Sequence, residues 1–296
     1  MNLSELCSFR VLKPACGLLC LAALLAPLSR VSCGEKPAAG VKTLRVLFVG
    51  NSLTAVNDLP AAIAELAKSR GSALEYVTRA PNGYSLADHF AGKRLGEKLA
   101  RGNWEFVVLQ EQSRSPAYPR AETEVFPFVK KISAAARKAN PGAKIAFYMT
   151  MARKNGETQR LKDFPALGTY GGLQQKLNEA YVRMASENNG VLVPVGPAWE
   201  LVRARAPSIE LYSDQIHPSK AGTYLAACVF YAVLFGDTPV GLPHPPELSA
   251  EHALILQKAA ADAAGTGTQN ALGQHRGLAH PPPSPLTQGS VVGRFC

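Results

Sequence analysis

The chain has 296 residues, 47% of them hydrophobic and 18% charged, with a formal net charge of +10. That is the composition of a soluble globular protein with an ample core, in one large domain or two small ones. The basic residues are scattered, with no Lys/Arg run and no aromatic-interleaved basic strip. The charge therefore reads as solvated surface with some preference for anionic polymers, and no nucleic-acid partner is expected.

Residues 1–33 read as an export signal. Arg10 and Lys13 form a basic start, and Ala15 to Leu28 is an apolar run. The run is shorter than the roughly 20 residues of a transmembrane helix. Small residues at Ser32, Cys33 and Gly34 allow cleavage there. The prediction is a secreted or periplasmic protein with no stable membrane span after cleavage; a retained N-terminal anchor is the alternative. A lipid anchor at Cys33 is a further alternative. Against it stands Arg30, three residues earlier, where that signal resembles one needing leucine. Beyond the leader only Cys228 and Cys296 remain, so no disulfide framework or paired-cysteine metal spacing is expected. Cys228 falls in a strongly apolar helix and reads as a buried free thiol.

Residues 34–43 read as a linker, and residues 44–264 as the folded domain. Leu44 to Val49 is a short apolar run, the pattern of a strand buried on both faces of a parallel sheet. It stops at Gly50, and Asn51-Ser52-Leu53-Thr54 leads to an amphipathic helix over Leu59–Arg70. Ser52 thus sits where a strand hands over to a helix, at the ligand crevice of an open α/β sheet. It reads either as a nucleophile or as a helix cap.

A second strand, Leu74–Thr78, runs into a turn in which Gly83 can take positive φ. A short helix near Leu95–Ala100 precedes a third strand, Phe106–Leu109, which ends in Gln110-Glu111-Gln112-Ser113. A long helix, Glu122–Asn140, and a fourth strand, Lys144–Thr150, follow. The loop 151–170 carries Arg153, Lys154, Arg160 and Lys162 and is long enough to be a functional rim or lid. Next come a helix over Leu173–Asn188, a fifth strand at Val191–Val195, helices at Pro197–Ala204 and Lys220–Phe235, and a last helix near Ser249–Ala263. Residues 265–296 shift to Gly, Pro, Thr, Gln and Ser and predict a disordered tail.

Alternation of five buried strands with helices predicts a single domain built on a parallel sheet flanked by helices. The polar clusters at 51–54, 82–83, 110–113 and 214–217 follow strands 1, 2, 3 and 5, so they share one sheet edge. Asp214 and His217 lie three apart. The carboxylate can reach the ring Nδ1–H, fix the tautomer and leave Nε2 as a general base. Pro218 biases His217 away from helical geometry. With Ser52 on the same edge, a nucleophile, a base and an orienting acid are all present.

These residues resemble the SGNH (GDSL-type) hydrolases. Gly50-Asn51-Ser52-Leu53-Thr54, Gly83, the cluster at 110–113 and Asp214-Gln215-Ile216-His217 match that family's four blocks in order and spacing, over roughly residues 44–236. The resemblance implies a three-layer, flavodoxin-like α/β fold. It also implies a serine nucleophile at Ser52, with Asp214 and His217 as orienter and base. The implied oxyanion hole consists of Ser52, Gly83 and Gln112. Two positions depart from the pattern. Asn51 replaces the family's aspartate and can still hold the turn by side-chain hydrogen bonds. Gln112 replaces the block-three asparagine and adds a methylene, which makes Gln110 a rival donor. An α/β-hydrolase elbow is disfavoured because Thr54 occupies its second glycine position.

For an exported member, the resemblance implies an esterase acting on short acyl groups, often acetyl groups on carbohydrate. Trp199, Tyr170 and Tyr212 are candidates for lining a sugar-sized cleft, although core packing is the commoner fate of such aromatics. A non-catalytic carbohydrate-binding module and an acyltransferase are the alternatives on the same scaffold. His89, after Asp88, reads as a capping or packing residue rather than a base. The remaining histidines lack ligand spacing and no phosphate-binding loop is present, so no metal, nucleotide or other cofactor is expected.

Overall fold

Hydrophobic alternation sets the sheet. The computed structural model describes residues 41–159 and 161–274, so the leader, Arg160 and the tail beyond 274 lie outside the described residues. Five strands form: β1 Thr43–Val49, β2 Ala73–Arg79, β3 Phe106–Leu109, β4 Lys144–Tyr148 and β5 Val191–Val193. All pair in parallel in the order β2-β1-β3-β4-β5. This is the α/β arrangement of flavodoxin-like folds. Successive side chains point to opposite faces. Val46, Phe48, Val108 and Tyr148 enter one core, while Leu47, Val49, Leu109 and Phe147 enter the other.

Ten helices are described: α1 Ser52–Ala55, α2 Leu59–Ser69, α3 Leu86–Ala91, α4 Lys93–Ala100, α5 Ala121–Glu124, α6 Phe126–Ala139, α7 Tyr170–Glu187, α8 Val195–Arg205, α9 Lys220–Phe235 and α10 Ala250–Gln274. α2, α8, α9 and α10 cover the first face, and α3, α4, α6 and α7 cover the second. α9 is buried on nearly every side, which is why its sequence is apolar all round. Cys228 lies within it as a free thiol, and burial pushes its pKa up to about 12. Among the described residues no helix is long and apolar enough to cross a membrane.

The structure departs from the sequence expectation in three places. The helix expected over 122–140 breaks at Val125, because Pro127 can sit only in a first turn. α3 was not anticipated; its signal is the capping box of Ser85 and Asp88, with Ser85 Oγ accepting from Asp88 N–H at 3.2 Å. The last helix runs to Gln274, nine residues past the expected start of the tail at Gly265.

The 151–170 segment is pinned rather than loose. Glu157, fully buried, accepts from the Arg114 guanidinium, the Tyr118 hydroxyl and the N–H groups of Thr158 and Gln159. Desolvation works to raise its carboxyl. The hydrogen bonds from Tyr118, Gln159 and Arg114 outweigh that and hold it at about 2. Phe164 closes edge-on against Tyr118 at 4.9 Å.

Candidate active site

Strand register brings the site together. Val49 stands level with Arg79 on one side and Leu109 on the other. The residues just beyond them therefore leave the sheet at the same height. The ladder is prolonged by Gly50 N–H to Arg79 O, 3.0 Å, and Gln110 N–H to Val49 O, 2.9 Å.

The turn after β1 is built by amides. Asn51 is buried and caps α1, its Oδ1 accepting from Leu53 N–H at 3.2 Å. Its Nδ2 donates to Tyr84 O at 2.8 Å, tying the Ser52 turn to the Gly83 loop. Gln110 is completely buried behind this turn. Its Oε1 accepts from Asn51 N–H at 2.8 Å and from the Thr54 hydroxyl at 2.9 Å. Its Nε2 donates to Asn51 Oδ1 at 3.0 Å and to Glu111 O at 2.5 Å. Every polar atom of that side chain is engaged. A Cβ at Gly50 would stand 2.5 Å from both Gln110 Oε1 and Thr54 Oγ1, so only glycine fits there.

Ser52 opens α1, so its N–H has no partner within the helix. After α1 the chain bends through Asn57 and Asp58, both at positive φ, into α2. Asn57 Nδ2 donates to Pro218 O at 3.1 Å and Thr223 Oγ1 at 2.9 Å. It thereby joins the serine turn to the histidine loop across 161 residues of sequence. Sequence reasoning missed this residue, and no local pattern marks it.

The histidine loop is equally defined. Ser213 N–H donates to His217 O at 2.9 Å, and Ser219 N–H to Leu211 O at 2.9 Å, before Ser219 caps α9. Asp214 Oδ1 accepts from the N–H groups of Ile216 at 2.6 Å and His217 at 2.7 Å. Asp214 Oδ2 is 2.8 Å from His217 Nδ1, and His217 Nε2 is 3.0 Å from Ser52 Oγ. Desolvation would raise the Asp214 carboxyl, but the hydrogen bonds from the His217 ring and from the His217 and Ile216 N–H groups hold it at about 2. The carboxylate is thus ionised across the neutral range and placed to accept from the ring Nδ1–H.

A cleft of about 450 Å³ opens over this series, lined by Ser52, Asn82, Gly83, Gln112, Ser113, Arg153 and His217 among others. Gly83 has φ +71, and among the described residues nothing accepts from its N–H. Gln112 Oε1 accepts from Ser115 Oγ at 3.0 Å, and among the described residues its Nε2 has no acceptor. Of the two glutamines, only Gln112 faces the cleft.

The structure places the other candidates elsewhere. Trp199 and Tyr212 are buried in the core, edge-on at 5.6 Å. Tyr170 lies under the Arg203 guanidinium at 4.2 Å. None of these aromatics lines the cleft, because helix and loop packing consumed their faces. His89 is buried with Nε2 donating to Gly50 O at 2.8 Å. Burial lowers its pKa, and it supports the turn from behind. Glu111 is buried too. Burial pushes its carboxyl up to about 7, although the N–H groups of Gln112 and Leu86 pull the other way. Among the described residues no group of three His, Cys, Asp or Glu could hold a metal ion.

A doubly wound parallel sheet with serine, histidine and aspartate hydrogen-bonded in series at its carboxyl edge is the arrangement that serine hydrolases use. No family model and no curated relative matches the chain. Solved structures do. A protein from Slackia heliotrinireducens assigned to the SGNH hydrolases is 31% identical, with a TM-score of 0.54, over 65% of this chain and 100% of that one. A DUF4886 family protein from Bacteroides uniformis is 18% identical, with a TM-score of 0.65, over 75% of this chain and 95% of that one, which speaks to the fold alone. The chain belongs to the SGNH hydrolases.

Proposed function

We propose that the protein is an exported esterase that removes short acyl groups, acetyl above all, with carbohydrate esters as the substrate class. The observation that carries this reading is the series Ser52 Oγ, His217 Nε2 at 3.0 Å, and His217 Nδ1 to Asp214 Oδ2 at 2.8 Å. Ser52 Oγ attacks the ester carbonyl while His217 Nε2 takes its proton. The tetrahedral oxyanion accepts from the N–H groups of Ser52 and Gly83 and from Gln112 Nε2. His217 then returns the proton to the departing alcohol, leaving acyl-Ser52. Water, deprotonated by His217, attacks the acyl carbonyl and releases the acid and free Ser52. Asp214 holds the ring and stabilises the imidazolium in both halves.

Support for a short acyl group comes from the 151–170 rim, whose Arg153 lines the cleft of about 450 Å³. That rim is pinned by Glu157 rather than offering a broad apolar lid. The test is a chromogenic ester series of increasing acyl length, with fluorophosphonate labelling of Ser52. Stoichiometric labelling, fastest turnover on acetate and steep loss beyond butyrate are expected. Failure of Ser52 to label rejects the triad assignment, and faster cleavage of long-chain esters rejects the short-acyl reading.

A further inference from the structure

Arg153 is the cation of the cleft, and among the described residues no carboxylate hydrogen-bonds to it or stands within ion-pair distance. Its Nε is buried without a hydrogen-bond partner. Glu157, the acid nearest in sequence, is saturated by Arg114, Tyr118 and two N–H groups. Asp214 is committed to His217 and to two backbone N–H groups. Burial and the neighbouring Arg114 lower the Arg153 pKa, and the charges of Glu157 and Tyr118 offset them only in part, a sign that its charge is held at a cost. A half-buried guanidinium without a partner is expensive unless something outside the chain completes it, and its planar fork suits a carboxylate or similar oxyanion.

We propose that Arg153 is a specificity-determining residue that binds an anionic group carried close to the scissile ester, so that the preferred substrates are negatively charged esters. This rests on Ser52 being the nucleophile, because Arg153 and Ser52 line the same cleft. The surroundings favour the same sign of ligand. Adjacent residues of one loop wall two cavities: Asn82 and Gly83 line the cleft, and Pro81 lines a second cavity of about 420 Å³ with four cations, Arg79, Arg94, Lys98 and Arg101, and one acid, Glu97. Cations thus outnumber acids beside the cleft, and the net charge of the full sequence, +10 with the leader included, has the same sign.

The test is kcat/KM for two matched pairs. In one, the charge sits on the leaving group: 4-acetoxybenzoate against its methyl ester. In the other it sits on the acyl group: mono-4-nitrophenyl succinate against its methyl ester. The natural chain should favour the anionic member of at least one pair, and Arg153→Gln should lower that preference about tenfold, the scale of a charge-assisted hydrogen bond. Arg153→Lys should restore part of it, and melting temperatures confirm folding of both variants. The pair that responds shows on which side of the ester Arg153 acts. No anionic preference in either pair, or a preference that survives in Arg153→Gln, overturns the proposal. Equal loss on charged and neutral members also overturns it, because that marks a general role in the reaction. If Ser52 labels with fluorophosphonate and neutral esters are cleaved, such a failure belongs to the charge assignment alone. If Ser52 does not label, the esterase reading fails and this proposal falls with it.

Discussion

The two glutamines after β3 offer the sharpest test of how the site is built. In Gln110→Ala, the buried Asn51 N–H and the Thr54 hydroxyl lose their acceptor, and Asn51 Oδ1 and Glu111 O lose a donor. The hydroxyl can rotate to another acceptor, and Asn51 Oδ1 keeps the Leu53 N–H. The Asn51 N–H has no such substitute, and an orphaned buried donor costs about 1–3 kcal/mol. Adding the other lost bonds and the space left by the side chain, we expect about 4 kcal/mol of destabilisation. For a domain of this size that lowers the melting temperature by about 8–16 °C. Turnover should also fall about 100-fold, because the freed turn lets Ser52 drift from His217. Gln112→Ala should behave oppositely. Its Nε2 holds nothing in the fold and its Oε1 only the partly exposed Ser115 hydroxyl, so melting should shift by no more than about 4 °C, while kcat drops about 10²–10³-fold if that amide stabilises the oxyanion. Calorimetry and steady-state kinetics on both variants decide the matter. If Gln110→Ala melts with the wild type, or Gln112→Ala leaves kcat intact, the division into a buried brace and a cleft donor is wrong.

Four further outcomes are expected. Asp214→Asn should retain the melting temperature within a few degrees but lower kcat by up to about 10⁴-fold, as when a triad loses its orienting carboxylate; an active variant would remove Asp214 from the mechanism. Asn57→Gly keeps the positive φ while deleting the bonds to Pro218 O and Thr223 Oγ1, so kcat should fall about tenfold with KM little changed; unaltered kcat would show that the histidine loop holds itself. Glu157 sits at about 2, below its ordinary 4.5, so its stabilisation is present above pH 4.5 and disappears as the pH falls towards 2; Glu111, raised to about 7, does the reverse, its contribution being full below pH 4.5 and lost as the pH rises through 7. Urea titrations should therefore show Glu157→Gln flattening the acid limb and Glu111→Gln flattening the slope from pH 5 to 8. Cys228, with its thiol pushed up to about 12, should resist a thiol-specific disulfide reagent in the native protein and react on unfolding, as read by peptide mass spectrometry.

Much of this protein is determined locally. The strands are legible because each is an apolar run whose alternate side chains fill two cores, and a run such as Leu44–Val49 has no other way to bury both faces. The polar clusters at the ends of strands 1, 2, 3 and 5 follow from strand–helix alternation, which sends every strand end to one edge. Asp214 and His217 could be paired from sequence because three residues span a single turn. Long-range packing decided the rest. Past Gln110 the strand ladder ends, and Gln110 and Gln112 fall on the same side of any alternation, so alternation does not say which glutamine turns inward; the demand of Asn51 N–H for an acceptor draws Gln110 into the core and leaves Gln112 in the cleft. Trp199 and Tyr212 are amphipathic enough for a sugar platform, but the close approach of α9 to α8 claims them for the interior. Asn57 and Arg153 gain their places only when segments far apart in the chain meet: Asn57 reaches Pro218 across 161 residues, and Arg153 is carried to the cleft by a loop that Glu157 anchors to residues 114–118. Sequence periodicity reports what a side chain buries against its own sheet or helix. It does not report which distant backbone group will be left needing a partner, and at this site those needs decide which side chains face the cleft.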